Sequence, residues 1–319
     1  MTPIDPSAFD TAAKLRANLG RVLVGRPDSV ELALVPLLAK GHLLVEDVPG
    51  VGKTTLAKAI ARSIAGRFRR VQFTSDLLPM DLVGGSVYNQ KTSDLEFRPG
   101  PVFTDVLLAD EINRASPRTQ SALLECMEEG QVSIDGETRT LGPVFFVVAT
   151  QNPIEHSGTF ELPEAQLDRF LLRLELGYPS FDDELEIFER QREAHPIDAL
   201  GAVTTLEEVA RLRAAVASVH VEQSVRRYAC QIVRATREHP DLVLGASPRG
   251  TLGLLRAAQA HSILAGRAFV TPDSIKRLAV PVLGHRVHVA PQSAVRGLRG
   301  PEVVAAVRDA IDPPVLARA

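Results

Sequence analysis

Between Gly41 and Leu176, short apolar runs alternate with segments of helical periodicity. The runs are His42–Glu46, Val71–Thr74, Val106–Asp110, Val144–Thr150 and Leu171–Leu174. None alternates strictly between apolar and polar residues, as a strand with one wet face would. Such runs suit strands buried on both faces of a parallel sheet, with the intervening helices covering those faces. After Tyr178-Pro179 the strand signal stops. Thr204 and Thr205 precede Glu207 and Glu208 at capping-box spacing, ahead of Leu206, Val209, Leu212, Val216 and Val219. Ser247-Pro248 and Thr271-Pro272 each read as an N-cap followed by proline at the first helical position, and Gly266 closes the helix that Pro248 begins. The expected fold is α/β with a mostly parallel five-stranded sheet over residues 1–178, N-terminal helices within 7–40 included. A smaller all-helical domain is expected over 179–319.

The first run leads into Glu46-Asp47-Val48-Pro49-Gly50-Val51-Gly52-Lys53-Thr54-Thr55, and a helical pattern with Leu56, Ala57, Ile60, Ala61 and Ile64 on one face follows. A strand, a glycine loop and a helix in this order are the context of a phosphate-binding loop. Gly50 and Gly52 let successive amides turn inward toward phosphate oxygens, and the helix N-terminus adds its positive dipole end. Pro49, Val51 and Thr55 complete the cradle. Lys53 is expected to bridge the terminal phosphates of a nucleoside triphosphate, and the Thr54 hydroxyl to ligate Mg2+. One position departs from the general pattern: Asp47 stands where the first glycine is usual.

Such a loop needs a second metal ligand from a neighbouring strand. Val106-Leu107-Leu108-Ala109 ends in Asp110 and Glu111. Asp110 is expected to hold Mg2+ through its water shell, and Glu111 to polarise the attacking water. A third strand ends in Ala149-Thr150-Gln151-Asn152, so Asn152 falls at the carboxyl edge of the sheet, where open α/β sheets bind ligands. There it is expected to orient the water or sense the γ-phosphate.

Together these segments resemble the AAA+ ATPases, and more narrowly the MoxR family. The narrow match rests on GHLLVEDVPGVGKTTLAKAIA, DEINRASPRTQSALLECMEEGQVSIDG, ATQNPIEHSGTFELPEAQLDRF and GASPRG, from about Gly41 to Gly250. The resemblance implies a P-loop AAA+ domain followed by a helical lid, and an ATPase that uses ATP and Mg2+. It implies that Arg169 is an arginine finger serving the neighbouring subunit. Arg249 would be the sensor-2 arginine, reaching back from the lid to the phosphates. Val24-Gly25 would line the adenine. Arg114 and Arg118 fit either a role at the subunit interface or ordinary helix-start positions.

Two segments read as inserted hairpins, Val87–Phe97 and Gln131–Thr140, the second turning at Asp135-Gly136. They resemble the helix-2 insert and the pre-sensor-1 hairpin of this clade, which line the pore or touch the client. The family implies a homo-oligomer, a hexameric ring, working as a chaperone-like motor with a von Willebrand factor A domain partner. It would remodel a client protein or assist metal or cofactor insertion. With no extension read beyond residue 319, client contact falls to the hairpins or the partner. The alternatives are a nucleic-acid-associated AAA+ motor or loader and a magnesium-chelatase-like motor subunit. A net charge of -3 and an aromatic content of 5% with no Trp argue against nucleic acid as a partner.

Hydrophobic residues at 45% and charged residues at 24% exclude a disordered chain. The acidic, polar start MTPIDPSAFD is unlike a signal peptide, and no apolar stretch approaches the roughly 20 residues that span a bilayer. A cytoplasmic address without membrane insertion follows. Cys126 and Cys230 are too few for a disulfide framework or a cysteine zinc site, and both read as small buried hydrophobes. His156 reads as a surface residue. His285 and His288 have no carboxylate beside them in sequence, so no metal is assigned there.

Overall fold

The computed structural model describes residues 4–91, 93–152, 159–192 and 195–315. Two helices, α1 (Pro6–Gly20) and α2 (Pro27–Leu38), precede β1 (Leu43–Glu46) and α3 (Lys53–Ser63). Next come β2 (Phe68–Gln72), the short α4 (Pro79–Val83), β3 (Gly84–Asn89), β4 (Asp94–Pro99) and β5 (Val106–Asp110). They are followed by α5 (Pro117–Glu129), β6 (Gln131–Ile134), β7 (Glu137–Thr140), β8 (Phe146–Gln151), α6 (Glu164–Leu167) and β9 (Leu172–Leu174). Five of these strands form one parallel sheet in the order β2-β5-β8-β1-β9.

Alternate side chains of the central strands enter two different cores. Leu43, Val45, Val106, Leu108, Phe146 and Val148 join one. Leu44, Leu107, Ala109, Val147 and Ala149 join the other, against Leu123, Leu124 and Met127 of α5. That division is why the sequence shows continuous apolar runs. The edge strand β2 begins at Phe68, earlier than its run suggests, because Arg69 and Arg70 are exposed and interrupt the apolar signal. Both expected hairpins form, β3 against β4 and β6 against β7. Asp135 and Gly136 turn the second with φ of 54° and 79°, the positive pair that a tight hairpin turn requires.

Beyond β9 the chain forms α7 (Phe181–Arg190), α8 (Leu206–Ser218), α9 (Gln223–Arg237), β10 (Leu242–Leu244) and α10 (Pro248–Leu264). The final elements are α11 (Pro272–Leu283), β11 (His288–Val289), α12 (Pro291–Val295) and α13 (Gly300–Asp309). Thr205, Ser247 and Thr271 cap α8, α10 and α11 as their spacing suggests, and Thr205 and Glu208 complete a capping box. The expectation of an all-helical region needs one amendment: β10 and β11 pair antiparallel. Strands of three and two residues leave too little pattern to register in the sequence. Cys126 is buried, and burial pushes its thiol up to about 12. Cys230 is exposed, contrary to its reading as a core residue, because Tyr228, Ala229 and Ile232 take the buried face of α9. Thr92 in the first hairpin, and Pro153 and His156 after β8, lie outside the described residues.

The C-terminal helices do not sit apart from the sheet. Residues of α1, α2, α8, α9, α10, α11 and α13 share one continuous core with a face of the sheet. The buried Arg213 of α8 donates to the carbonyls of Leu37 (2.8 Å) and Pro143 (2.9 Å), tying that helix to α2 and the entry to β8. At the same end of the sheet, His42 bridges three elements. Its Nδ1 accepts from the Val147 amide at 3.0 Å, so its Nε2 donates to the Met127 carbonyl at 3.1 Å. Burial holds this imidazole neutral and lowers its pKa to about 4. An unfolded chain therefore binds more protons than the folded one below pH 6.5. The stability gained from neutral His42 is whole above that value and is lost as the pH falls toward 4. Urea unfolding at pH 7 and pH 4.5 is expected to show a loss about 2 to 3 kcal/mol larger in wild type than in His42→Gln. Equal losses in the two proteins would show that His42 does not titrate this way.

Candidate functional site

The loop between β1 and α3 turns at Gly50 and Gly52, with φ of 86° and 100°. A Cβ at either would meet nothing within 4 Å, so their requirement is conformational rather than steric. A cavity of about 380 Å3 opens over this loop, lined by Pro49, Gly50, Gly52, Lys53, Thr54 and Thr55. Its other wall carries Arg70, Gln72, Asp110, Glu111 and Asn152, from the carboxyl ends of β2, β5 and β8. Lys53, Thr54, Asp110, Glu111 and Asn152 are thus brought together as expected. A second cavity of about 260 Å3 shares Gly50, Gly52 and Thr55 and is lined by Val22, Leu23, Val24 and Val51. Ile187 and Arg190 of α7, with Gln191 at its C-cap, close its far side. Adjoining anion-binding and apolar compartments on one glycine loop fit the triphosphate and base of a nucleotide. Gly25 stands at φ 69° with the Asp183 carboxylate packed against it; a Cβ there would lie 2.1 Å from that group.

Asp110 is buried, and both of its carboxylate oxygens are engaged. Thr150 Oγ1 donates to Oδ1 at 2.5 Å, and Arg70 Nη2 donates to Oδ2 at 2.6 Å. A carboxylate has about four acceptor positions, so capacity remains for the water shell of a divalent cation held by Thr54 and Asp110. Glu111 stands in the left-handed region, with φ 56° and ψ 50°, where the chain leaves β5. Gln72 Nε2 donates to its Oε2 at 2.8 Å, Arg114 Nε lies 3.2 Å from the same oxygen, and the Glu111 amide donates to Thr150 Oγ1 at 2.9 Å. Arg114 therefore faces the Glu111 carboxylate of its own chain, whereas Arg118 is exposed at the start of α5. Lys53 donates to the Asp47 carbonyl at 2.6 Å. Burial lowers its pKa, opposed by the carboxylates of Asp47, Asp110 and Glu111.

Arg70 and Gln72 are not among the residues the sequence singles out, and Asp47 stands there only as a departure from glycine. The first two occupy alternate positions at the end of the edge strand, and Gln72 lies in register with Asp110. That spacing was the available signal, hidden by the charged start of β2. Asp47 Oδ2 accepts from the amides of Leu176 (2.6 Å) and Gly177 (2.7 Å), while Oδ1 accepts from Val48 at 2.9 Å. The departure from glycine thus ties the phosphate loop to the chain leaving β9. Arg26 adds a second tie, donating to Val51 O at 3.2 Å and Gly177 O at 2.8 Å.

Arg169 and Arg249 are not at this cavity. Both lie on a different wall of the molecule, in a cavity of about 350 Å3 at the ends of α2 and α5. Glu128 holds them as a pair, Oε2 3.1 Å from Arg169 and Oε1 3.1 Å from Arg249. Nearby, the buried Arg286 bonds Asp168 at 2.7 Å, and Ser247, the cap of α10, donates to Asp168 at 3.2 Å. The expectation that Arg249 reaches back to its own chain's phosphates is corrected: α10 packs on α2 and beside β9, which carries its N-terminus to Glu128 rather than over the glycine loop.

Residues 42–172 match the family model described as ATPase family associated with various cellular activities (AAA), and residues 234–307 match the AAA lid domain. The chain is 50% identical over 298 residues to YeaC of Bacillus subtilis, covering 93% of each protein. It is 42% identical to Chaperone MoxR1 of Mycobacterium tuberculosis, covering 89% of this chain and 77% of that one. The chain belongs to the MoxR family of AAA+ ATPases. A solved structure from Cytophaga hutchinsonii, 33% identical, superposes with a TM-score of 0.89 over 97% of this MoxR-family chain and 96% of that one.

Asp47→Ala leaves the buried Leu176 amide and the half-buried Gly177 amide without their acceptor. It is expected to destabilise the protein by about 1 to 3 kcal/mol in urea unfolding at pH 7. An unchanged midpoint would show that the tie to Leu176 and Gly177 carries no weight.

Proposed function

We propose that the protein is an Mg2+-dependent ATPase that works as a homo-oligomeric ring, a hexamer, in which each active site is completed by the next subunit. The observation that carries this reading is the pairing of Arg169 and Arg249 on Glu128, on a wall that does not include Lys53, Asp110 or Glu111. Two guanidiniums turned away from their own phosphate cavity would serve another copy's.

In the reaction, water attacks the γ-phosphorus while the bond to the β-phosphate oxygen breaks, giving ADP and inorganic phosphate. Glu111 orients the water and accepts its proton; Gln72 and Arg114 both bind Oε2, which leaves Oε1 to meet the water. Lys53 exchanges the Asp47 carbonyl for the terminal phosphates, and Asn152 aligns the γ-phosphate from the end of β8. Val24 and its neighbours take the base. Thr54 and Asp110 hold Mg2+, whose contribution when bound is to neutralise charge on the β- and γ-phosphate oxygens. Arg169 and Arg249 of the neighbouring copy supply the remaining positive charge.

The work done with this hydrolysis is that of a chaperone-like motor, as the name of the Mycobacterium tuberculosis relative supports. The β3–β4 hairpin, where Val87, Tyr88 and Leu95 are exposed, suits contact with a client protein. A partner with a von Willebrand factor A domain follows from the family resemblance.

ATP hydrolysis per subunit is expected to rise with protein concentration through the assembly range. A flat rate through that range would contradict a shared site. Arg169→Ala is expected to bind a fluorescent ATP analogue normally and to lose roughly 10³ to 10⁵ in rate. Lys53→Ala is expected to weaken binding of the analogue itself.

A further inference from the structure

Among the described residues, the walls of the phosphate cavity carry two cations: Lys53 at the glycine loop and Arg70 at the end of the edge strand β2. Asp110 and Glu111 stand against them. Part of the Arg70 guanidinium is engaged by these carboxylates or by what holds them. Its Nε and Nη2 donate to Asp110 Oδ2 at 3.0 and 2.6 Å, and Nη2 also donates to Gln72 Oε1 at 3.0 Å. The last contact orients the Gln72 amide, whose Nε2 donates to Glu111 Oε2 at 2.8 Å. Nε and Nη2 are then fully used. The two hydrogens of Nη1 have no acceptor among the described residues, and the side chain is half exposed.

We infer that Arg70 is a ligand of the γ-phosphate within its own chain, a further catalytic residue that makes this site prefer ATP to ADP. The inference deepens the ATPase reading above and rests on it. The base end of the nucleotide is set by the apolar compartment, which shares Gly50, Gly52 and Thr55 with the phosphate cavity; Arg70 lines only the latter. In the sheet order β5 and β8 separate β2 from β1, so Arg70 approaches from the side away from the glycine loop. There it stands with Glu111 and Asn152, the groups assigned to the γ-phosphate and its water. Charge favours the same placement. In the cavity wall Lys53 and Arg70 offset Asp110 and Glu111, whereas a nucleoside triphosphate adds negative charge even when it carries Mg2+. With the metal's water shell on Asp110, that carboxylate holds Arg70 less strongly, and phosphate oxygens become the better acceptors for a guanidinium fork. Until then Asp110 and Gln72 keep Arg70 in the cavity wall, so little ordering is left to be done on binding. Lys53 and the loop amides serve ADP and ATP alike; Arg70 serves the group that ADP lacks.

The test compares full-length wild type, Arg70→Gln and Arg69→Gln. Arg69 is exposed on the same strand and outside the cavity lining, so its variant removes an equal charge one residue away. Each protein is titrated, in excess Mg2+ and at one protein concentration, with a non-hydrolysable fluorescent ATP analogue and with the matching ADP analogue. The readout is the ratio of the two dissociation constants, because a change in how Asp110 handles Mg2+ enters both and cancels. Arg70→Gln is expected to lower the preference for the ATP analogue by about 10- to 100-fold, the loss of a charge-assisted phosphate contact. Arg69→Gln is expected to keep the wild-type ratio. An unchanged ratio in Arg70→Gln, or equal weakening of both analogues, would make Arg70 a support for Asp110 and Gln72 alone and overturn the inference, leaving the nucleotide site standing. The same fall in ratio in Arg69→Gln would assign the effect to net charge and overturn it too. Wild type that binds neither analogue would overturn the inference and the ATPase reading together.

Discussion

A parallel sheet buried on both faces can present polar side chains only at its ends. The central strands here divide their residues between two apolar cores, so Asp110, Gln151 and Asn152 emerge where the apolar register runs out. Since all five strands run the same way, those ends lie along one edge. The glycine loop leaves β1 at that edge, beside β8 in the sheet order, and its lysine meets the carboxylates of β5 without any long-range search. The chemistry of the phosphate cavity is thus a consequence of strand direction. What strand direction does not set is the fine positioning of the carboxylates, which falls to Thr150, Arg70 and Gln72.

The second organising fact is the single core that joins the N-terminal helices, one sheet face and the C-terminal helices. It fixes α10 on α2 and beside β9, and with it the direction in which Arg249 points. The buried Arg286–Asp168 pair, with Ser247 on the same carboxylate, holds the start of α10 against the segment that carries Arg169. Glu128 then receives both arginines. One anionic side chain holding two cations from different elements makes them a unit, so a substitution at either is expected to disturb the other.

The legible parts of the sequence were those carried by local pattern. Apolar runs gave the strands, Asp135-Gly136 the hairpin turn, and Thr205 with Glu208 the helix start. The strand–loop–helix sequence around Lys53 located the phosphate cavity, and Asp110, Glu111 and Asn152 fell on its wall as their strand-end positions implied. Less legible was whatever depended on contacts distant in the chain. Asp47 read only as a departure from glycine, because its partners, Leu176 and Gly177, lie some 130 residues along the chain. Arg70 and Gln72 were hidden in a strand whose exposed edge carries charge. Arg249 was assigned to the wrong cavity because its spacing within α10 says nothing about where that helix packs, and Cys230 was misplaced because an apolar helix pattern does not identify the buried face.

The shared active site is tested most directly by mixing two inactive proteins. Lys53→Ala subunits retain Arg169 but lack the phosphate-binding lysine, and Arg169→Ala subunits retain the lysine but lack the arginine. If each site is built from two copies, mixing them restores ATP hydrolysis, because some interfaces then combine an intact Lys53 with an intact Arg169. Mixed assemblies that form and stay inactive would contradict the account.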